Sequence, residues 1–362
     1  MHLGNVFCAL LSWLSAKSKG GEWVLRIEDL DPQRSREEYA LQLMDDLQWL
    51  GLPWDGEPVW QSQRGHIYEE YLLRLTEMGI TYPCHCTRAD IMATQAPHET
   101  DGRVVYKGTC RPRAIDAINS IDSIGSIDAI DAIDAIGSID STIRTVPATT
   151  RLIVPDCTIP FTDGHYGRHD INLAEHCGDY IVRRKDGAWA YQLAVVVDDA
   201  LMGITEIVRG RDLLLSSPQQ IHLRELLFGE RKTENGTDAG SENRSKIYFD
   251  YAEQQGGKDH EAGLKRKNNS LTAHHSPLTV NFFHHPLLCN AEGQRLCKRD
   301  KSMDLGYLRN KGTTAREIIG LLAHLAGLTD TPAPITPTEL LPLFSWDKVP
   351  TEDIMLDKQI IL

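Results

Sequence analysis

The stretch from Asp186 to Leu215 limits the fold more than any other, because it carries two apolar runs that must be buried and that end in charges. Leu193 to Val197 is unbroken apolar sequence, well short of the ~20 residues a membrane helix needs and of a length suited to an element buried on both faces. It meets Asp198-Asp199, and a second segment, Ile204 to Val208, then delivers Arg209 and Gly210. Open α/β sheets place ligand contacts at the ends of such buried segments, so Tyr191 and Arg209 become candidate site residues. Periodicity leaves open whether 192–203 is a strand or a buried helix.

The chain of 362 residues is long enough for a large core and two structural units. Hydrophobic residues at 41% and charged residues at 25% are those of a soluble globular protein, and no apolar run approaches the length of a membrane span. No secretory signal pattern opens the chain, so a cytoplasmic location without membrane partners is expected. The net charge of −13 excludes a uniformly basic nucleic-acid binder and confines any RNA contact to local basic segments such as 295–301 and 309–316. Of eight cysteines, only Cys84 and Cys86 are closely spaced, a pattern of a metal site with scattered thiols and not of a disulfide framework.

His2-Leu3-Gly4-Asn5 precedes an amphipathic run from Val6 to Ala16, read as a helix whose start can offer donors to phosphate. The plainer reading of Asn5 is a helix cap. Trp23 to Asp29 reads as a short strand ending in carboxylates, and Arg36–Leu50 and 64–78 read as helices closed by Gly51 and Gly79. Cys84-x-Cys86 followed by Cys110 resembles a zinc knuckle, with His85 and Tyr106 both in reach as a fourth ligand. Between 114 and 140 isoleucine falls at every third position, a period that fits neither helix nor strand; a surface insertion without function is expected there. Residues 229–277 read as a second, flexible insertion. Short β segments follow at Arg151–Pro155, Ile159–Asp163 and Asp179–Arg184. Beyond the second insertion come Phe282–Leu288, a basic loop around Lys298, a helix at 314–327, and a Pro-rich link at 331–337 leading to a short helix.

In this order the segments resemble class I aminoacyl-tRNA synthetases. His2-Leu3-Gly4-Asn5 looks like the HIGH signature, and Arg295-Leu296-Cys297-Lys298-Arg299 stands where the family carries its KMSKS-like loop, with Arg295 and Cys297 in place of the usual lysine and serine. Arg26-Ile27-Glu28-Asp29, Trp60 to Arg64, the Cys-x-Cys site and the block from Tyr191 to Arg209 narrow the likeness to the glutamyl branch. The sequence that follows Lys298 is too short for that branch's anticodon-binding part, which resembles the subgroup that activates glutamate with ATP and attaches it to the queuosine base of tRNA(Asp). A glutamyl-tRNA synthetase charging tRNA(Glu) without its anticodon-binding part, and a non-catalytic tRNA-binding relative, are the alternatives.

The resemblance implies an α/β class I Rossmann-like fold with an inserted zinc-binding subdomain and a short helical C-terminal part. It divides the chain into a first catalytic half at 1–81 lacking the family's first strand, an insertion at 82–178, a second half at 179–228, the flexible segment 229–277, a lysine-loop and helical region at 278–330, and a tail at 331–362. It implies a ligase acting as a monomer, with ATP and Mg²⁺. His2, Asn5 and Lys298 are expected to act on ATP, and Glu28, Tyr191 and Arg209 to hold glutamate. Cys84, Cys86, Tyr106 and Cys110 are expected to hold one structural Zn²⁺.

Overall fold

A computed structural model describes residues 1–31, 34–93, 105–112, 147–229, 280–296 and 303–356. The isoleucine repeat, nearly all of the second insertion and Lys298 lie outside the described residues. The longer helices are α1 (Leu3–Ser18), α2 (Glu37–Trp49), α3 (Gly65–Glu77), α4 (Tyr191–Leu201), α5 (Ser217–Phe228), α6 (Leu305–Asn310) and α7 (Ala315–Leu325). The strands are β1 (Arg26–Ile27), β2 (Val59–Trp60), β3 (Thr81–Cys84), β4 (Thr149–Leu152), β5 (Thr158–Asp163), β6 (Gly167–Asn172), β7 (Ile181–Arg183), β8 (Glu206–Gly210), β9 (Asn281–His285), β10 (Leu288–Cys289) and β11 (Ile354–Met355). No described helix is long and apolar enough to cross a membrane.

The residues from Leu193 to Ala200 form a helix, not a strand, and every one of them is buried. Burial all round erases the 3.6-residue alternation that would have revealed it. Its end is legible: Gly203 at φ 69° lets Ile204 N–H reach Asp199 C=O (2.8 Å) and its own N–H reach Ala200 C=O (3.2 Å). Those two bonds make a Schellman motif, which satisfies carbonyls the helix leaves open. Gly51 and Gly79 close α2 and α3 in the same way.

The largest sheet has the order β6-β5-β9-β8, in which β5, β9 and β8 run parallel and β6 pairs antiparallel with β5. A smaller antiparallel sheet, β3-β4-β7, carries Cys84 at its edge. The span 82–178, expected as one insertion, thus contributes to both sheets. The strand expected over 23–29 shortens to Arg26–Ile27, because Trp23 N–H turns aside to the Asp55 carboxylate (2.7 Å).

Two cores lie against these sheets. One joins α1, the end of α2, α6 and α7 with Leu340, Val349 and Leu356, so the segment expected as a tail is packed into the body. The other joins α3, α4 and α5 with Leu152, Val154 and Val182. Truncating a fully buried leucine such as Leu10 or Leu75 leaves a cavity costing about 2–5 kcal/mol.

Two imidazoles are buried apart from any carboxylate contact: His222 on α5 and His285 on β9, 8% and 4% exposed. Burial lowers both from 6.5 to about 4. Between those values the unfolded chain takes up protons that the folded rings refuse, so stability must fall as pH drops from about 6.5 towards 4, on the order of 3 kcal/mol per ring. His222→Leu is expected to flatten this acid limb; urea midpoints for the variant and the parent that decline equally between pH 7 and 4.5 would show the assignment to be wrong.

Candidate active site

Arg209 is the penultimate residue of β8, at the C-terminal end of the parallel strands, and is 7% exposed. Its Nε–H donates to His284 Nε2 (3.1 Å), one Nη donates to Gln220 Oε1 (2.8 Å) and, at 3.5 Å, to the Tyr191 hydroxyl, and the other donates to Ser217 Oγ (2.9 Å). All four partners are neutral groups. Arg209 takes part in none of the carboxylate ion pairs formed among the described residues. The Phe282 ring lies 5.1 Å from the guanidinium. Loss of water pulls the Arg209 pKa below its ordinary value, and the opposing pull of Tyr191, Asp199 and Asp163 does not offset it.

Tyr191 opens α4, 39% exposed, with its hydroxyl on the Arg209 side. Desolvation raises its pKa, with Arg209 pulling it down and Glu28 pushing it up, so the three groups feel one another. Glu28 follows β1 and accepts from Arg26 (3.3 Å). It lines a cavity of about 410 Å³ together with Arg26, Asp29, Arg36 and Tyr39. Although 44% of its side chain is open, the cleft desolvates it and raises its pKa against the pull of Arg26. The structure thus sets Tyr191 against Arg209 and within electrostatic reach of Glu28.

Beneath them lies an acid pair. Asp198, wholly buried, accepts from Arg64 (2.6 Å), Tyr68 (2.7 Å) and Gln61 (2.9 Å), and Asp199 accepts from Arg26 (2.6 Å). Desolvation raises Asp199, opposed by Arg26. Sequence reasoning left the segment that carries these acids open between strand and helix; they sit inside a helix and are taken up by structural partners.

His2 and Asn5 begin α1. The His2 N–H donates to Asn5 Oδ1 (3.3 Å), and a Cβ at Gly4 would come within 3.1 Å of the His2 ring, so glycine leaves the imidazole its place. Helix α1 runs antiparallel to β8, with Cys8 against Val208 C=O (3.8 Å) and Ser15 Oγ donating to Glu206 (2.5 Å). Its N-terminus thus lies at the same sheet edge as Arg209. Lys298 is not described, but its flanks are anchored there. Leu296 N–H bonds Leu288 C=O (3.0 Å), Asp304 bridges to His2, and Leu305 N–H donates to Met1 C=O (2.7 Å).

At the other end, Cys84, Cys86 and Cys110 bring their sulfurs within 4.8 Å of one another, a set able to hold a metal ion. The Tyr106 hydroxyl lies 3.4 Å from Cys84 Sγ and 3.7 Å from Cys86 Sγ, beside the three sulfurs. Burial opposes the Cys110 thiolate, but hydrogen bonds from Tyr106, the His85 amide and Cys86 outweigh it and bring its pKa to about 7. Arg151 stacks 3.8 Å over the Tyr106 ring, and burial together with the Cys84 hydrogen bond raises the phenol's pKa. Gly178, at φ 61°, lets its backbone approach Tyr106 C=O; a Cβ there would lie 2.3 Å from that oxygen.

The residues sequence reasoning left without a role are Asp163, Ser217, Gln220 and His284, each a partner of Arg209 or one step behind it. Only the strand ends on which Asp163 and His284 stand were visible beforehand. Asp198→Ala leaves Arg64, Tyr68 and Gln61 with unpaired donors, and a loss of about 3–5 kcal/mol is expected. Urea denaturation checks this; a loss below ~1 kcal/mol, the scale of a surface pair, would refute the hub.

A model of the catalytic domain of class I tRNA synthetases (E and Q) matches residues 1–235. Glutamyl-Q tRNA(Asp) synthetase of Nitratidesulfovibrio vulgaris is 34% identical over 370 residues, covering 100% of this chain and 93% of that protein. The protein of that name from Symbiobacterium thermophilum is 35% identical over 374 residues, covering 100% and 94%. One from Neisseria meningitidis is 42% identical over 228 residues, or 63% of this chain and 68% of its own. A solved glutamate tRNA ligase from Elizabethkingia meningosepticum, in complex with its amino acid, matches with a TM-score of 0.66 at 23% identity, over 100% of this chain and 65% of that one. This last likeness establishes the class I fold.

Proposed function

The chain belongs to the class I tRNA synthetases (E and Q), and from this we propose that it activates glutamate with ATP and transfers it to the queuosine base in the anticodon of tRNA(Asp). The observation that carries the amino-acid half is Arg209: a buried cation held by neutral groups is a receptor for a carboxylate, which can take the Nη end in charge-assisted hydrogen bonds. Glu28 and the Tyr191 hydroxyl, at the open side of the same cluster, suit the ammonium end. The acceptor half rests on the relatives. Those covered over 93% and 94% of their length carry the glutamyl-Q name, which favours this reading over a tRNA(Glu)-charging enzyme.

Activation requires that the amino-acid carboxylate meet the α-phosphate of ATP as pyrophosphate departs. The amides at the start of α1, with His2 and Asn5, offer donors to the phosphates, and Lys298 would answer the charge that develops on them. Both are positioning and electrostatic roles, and the start of α1 sits at the sheet edge where Arg209 would hold the other substrate. Mg²⁺ accompanies ATP in this reading, and the chain acts in the cytoplasm as a monomer.

The three thiols and the Tyr106 phenol fit a single structural Zn²⁺: soft ligands in one cluster, with a Cys110 thiolate accessible near neutrality. The ion would tie Cys84 at the β3 edge to the 105–112 segment.

ATP–pyrophosphate exchange driven by glutamate without tRNA, followed by transfer of labelled glutamate to tRNA(Asp) with and without queuosine, tests the reading. Transfer only to the modified tRNA is expected; charging of the 3′ end of tRNA(Glu) would overturn it. Arg209→Gln is expected to raise KM for glutamate about 30-fold or more, the loss that follows when one partner of a buried charge pair is removed. Elemental analysis is expected to find a zinc ion per chain, lost in Cys84→Ser; a metal-free parent protein would end the zinc assignment.

A further inference from the structure

We propose that His284, oriented by Asp163, is a positioning residue that fixes the Arg209 guanidinium for the substrate carboxylate while leaving its charge uncancelled. The inference rests on the reading of Arg209 as the glutamate receptor. Asp163, His284 and Arg209 stand on three adjacent parallel strands, β5, β9 and β8, with Arg209 directly opposite His284 and Asp163 paired in register with Phe282. They form a row across the sheet near its C-terminal edge. Asp163 and His284 are 1% and 0% exposed.

Asp163 is held from all sides. One oxygen accepts from the amides of His165 (3.0 Å) and Tyr166 (2.9 Å), and the other accepts from the His284 ring Nδ1 (2.6 Å) and amide (3.2 Å). The turn that supplies those amides passes so close to Phe283 that a Cβ at Gly164 would lie 2.1 Å from its ring. A carboxylate with that many donors stays ionised: burial opposes its charge, but His284 and the amides hold it below its ordinary pKa. It therefore accepts, and the Nδ1 facing it must be the protonated nitrogen. Burial keeps the ring neutral by lowering its pKa. Nε2 is then a bare acceptor, and Arg209 Nε–H donates to it.

Two consequences follow for Arg209. Its Nε is fixed on His284 and one Nη on Ser217, which closes that edge of the guanidinium; the other Nη donates to Gln220 and faces the Tyr191 hydroxyl, so a ligand approaches from the Nη end beside Tyr191. A carboxylate in the place of the imidazole would make the same hydrogen bond but neutralise the cation. The ring transmits the orientation and keeps the acid charge one side chain away. A site so built favours an ionised side chain over the uncharged amide of glutamine.

The test uses the full chain. In ¹⁵N-histidine NMR the ring of His284 is expected to show a protonated Nδ1 and an unprotonated Nε2; an Nε2–H tautomer or an imidazolium at neutral pH would overturn the proposal even if glutamate activation itself were absent. In Asp163→Asn the amide oxygen is kept by the His165 and Tyr166 amides, so the NH₂ faces His284 and forces the tautomer that opposes Arg209. KM for glutamate is expected to rise about tenfold or more, the worth of a hydrogen bond to a charged group, with KM for ATP unchanged. An unchanged KM for glutamate, or a rise of both KM values together, would reject the positioning role. The parent enzyme's own exchange with glutamate reports separately on the underlying reading.

Discussion

A carboxylate with no exposure at all, in the middle of a helix, is the constraint around which the catalytic part of this chain is built. Asp198 cannot find donors along α4, whose own amides are already used, and a bare carboxylate there would cost several kcal/mol. Its partners must come from elsewhere. Gln61, Arg64 and Tyr68 supply them from the turn before α3 and from α3 itself, and Arg26 comes from β1 to the neighbouring Asp199. The requirement to satisfy two acids thus determines how α3 and β1 meet α4. It also determines where Glu28 stands, because Arg26 reaches both Asp199 and Glu28.

The opposite charge is handled in the opposite way. Where the acids of α4 are fully compensated, Arg209 is surrounded by an imidazole, an amide, a hydroxyl and a phenol, none of which cancels it. The amide is itself locked, since Gln220 accepts from Arg209 and donates to Gln192 (2.9 Å), which in turn donates to Gln219 (2.7 Å). Fixed dipoles can support a cation without neutralising it, and the remaining attraction is left for a ligand. An acid open at Glu28 and a cation open at Arg209, with Tyr191 between them, form a polarity that matches an amino acid with an ionised side chain on the proposed reading.

How much of this could be read in the sequence depends on whether a residue's role is local. Gly51, Gly79 and Gly203 mark helix ends because the left-handed turn they permit is a property of a few consecutive residues. The Cys84-x-Cys86 pair and Cys110 were visible for the same reason, whereas Tyr106 as a fourth ligand came from the family likeness; its hydroxyl lies beside Cys84 and Cys86. Glu28, Tyr191 and Arg209 were legible as ends of segments in a familiar order. The strand-or-helix ambiguity at 192–203 was physical: a segment buried on every side presents no period to read. Asp163 and His284 were out of reach, because their relation to Arg209 is a matter of strand order, and β5, β9 and β8 are neighbours only after the chain has folded. Between them in the chain stand β6, β7, α4, α5 and an undescribed insertion.

The proposed chemistry falls where the two cores meet, and this explains why neither core's pattern announces it. The first core holds α1, the buried flanks Leu296 and Met303 of the lysine segment, and Val208 on one side of β8. The second holds α4, and with it Tyr191 and the acid pair. Strand β8 lies between them: Val208 packs towards α1, and the next residue, Arg209, points to β9 and α5. Alternation along a strand sends consecutive side chains to opposite faces, so a single step of sequence passes from the α1 side, proposed for ATP, to the side proposed for the amino acid. A slip of one residue in the pairing of β8 with β9 would bury Val208 where the carboxylate receptor belongs and turn Arg209 towards an apolar helix. The register that protects the cores is therefore the same register that sets Arg209 opposite His284.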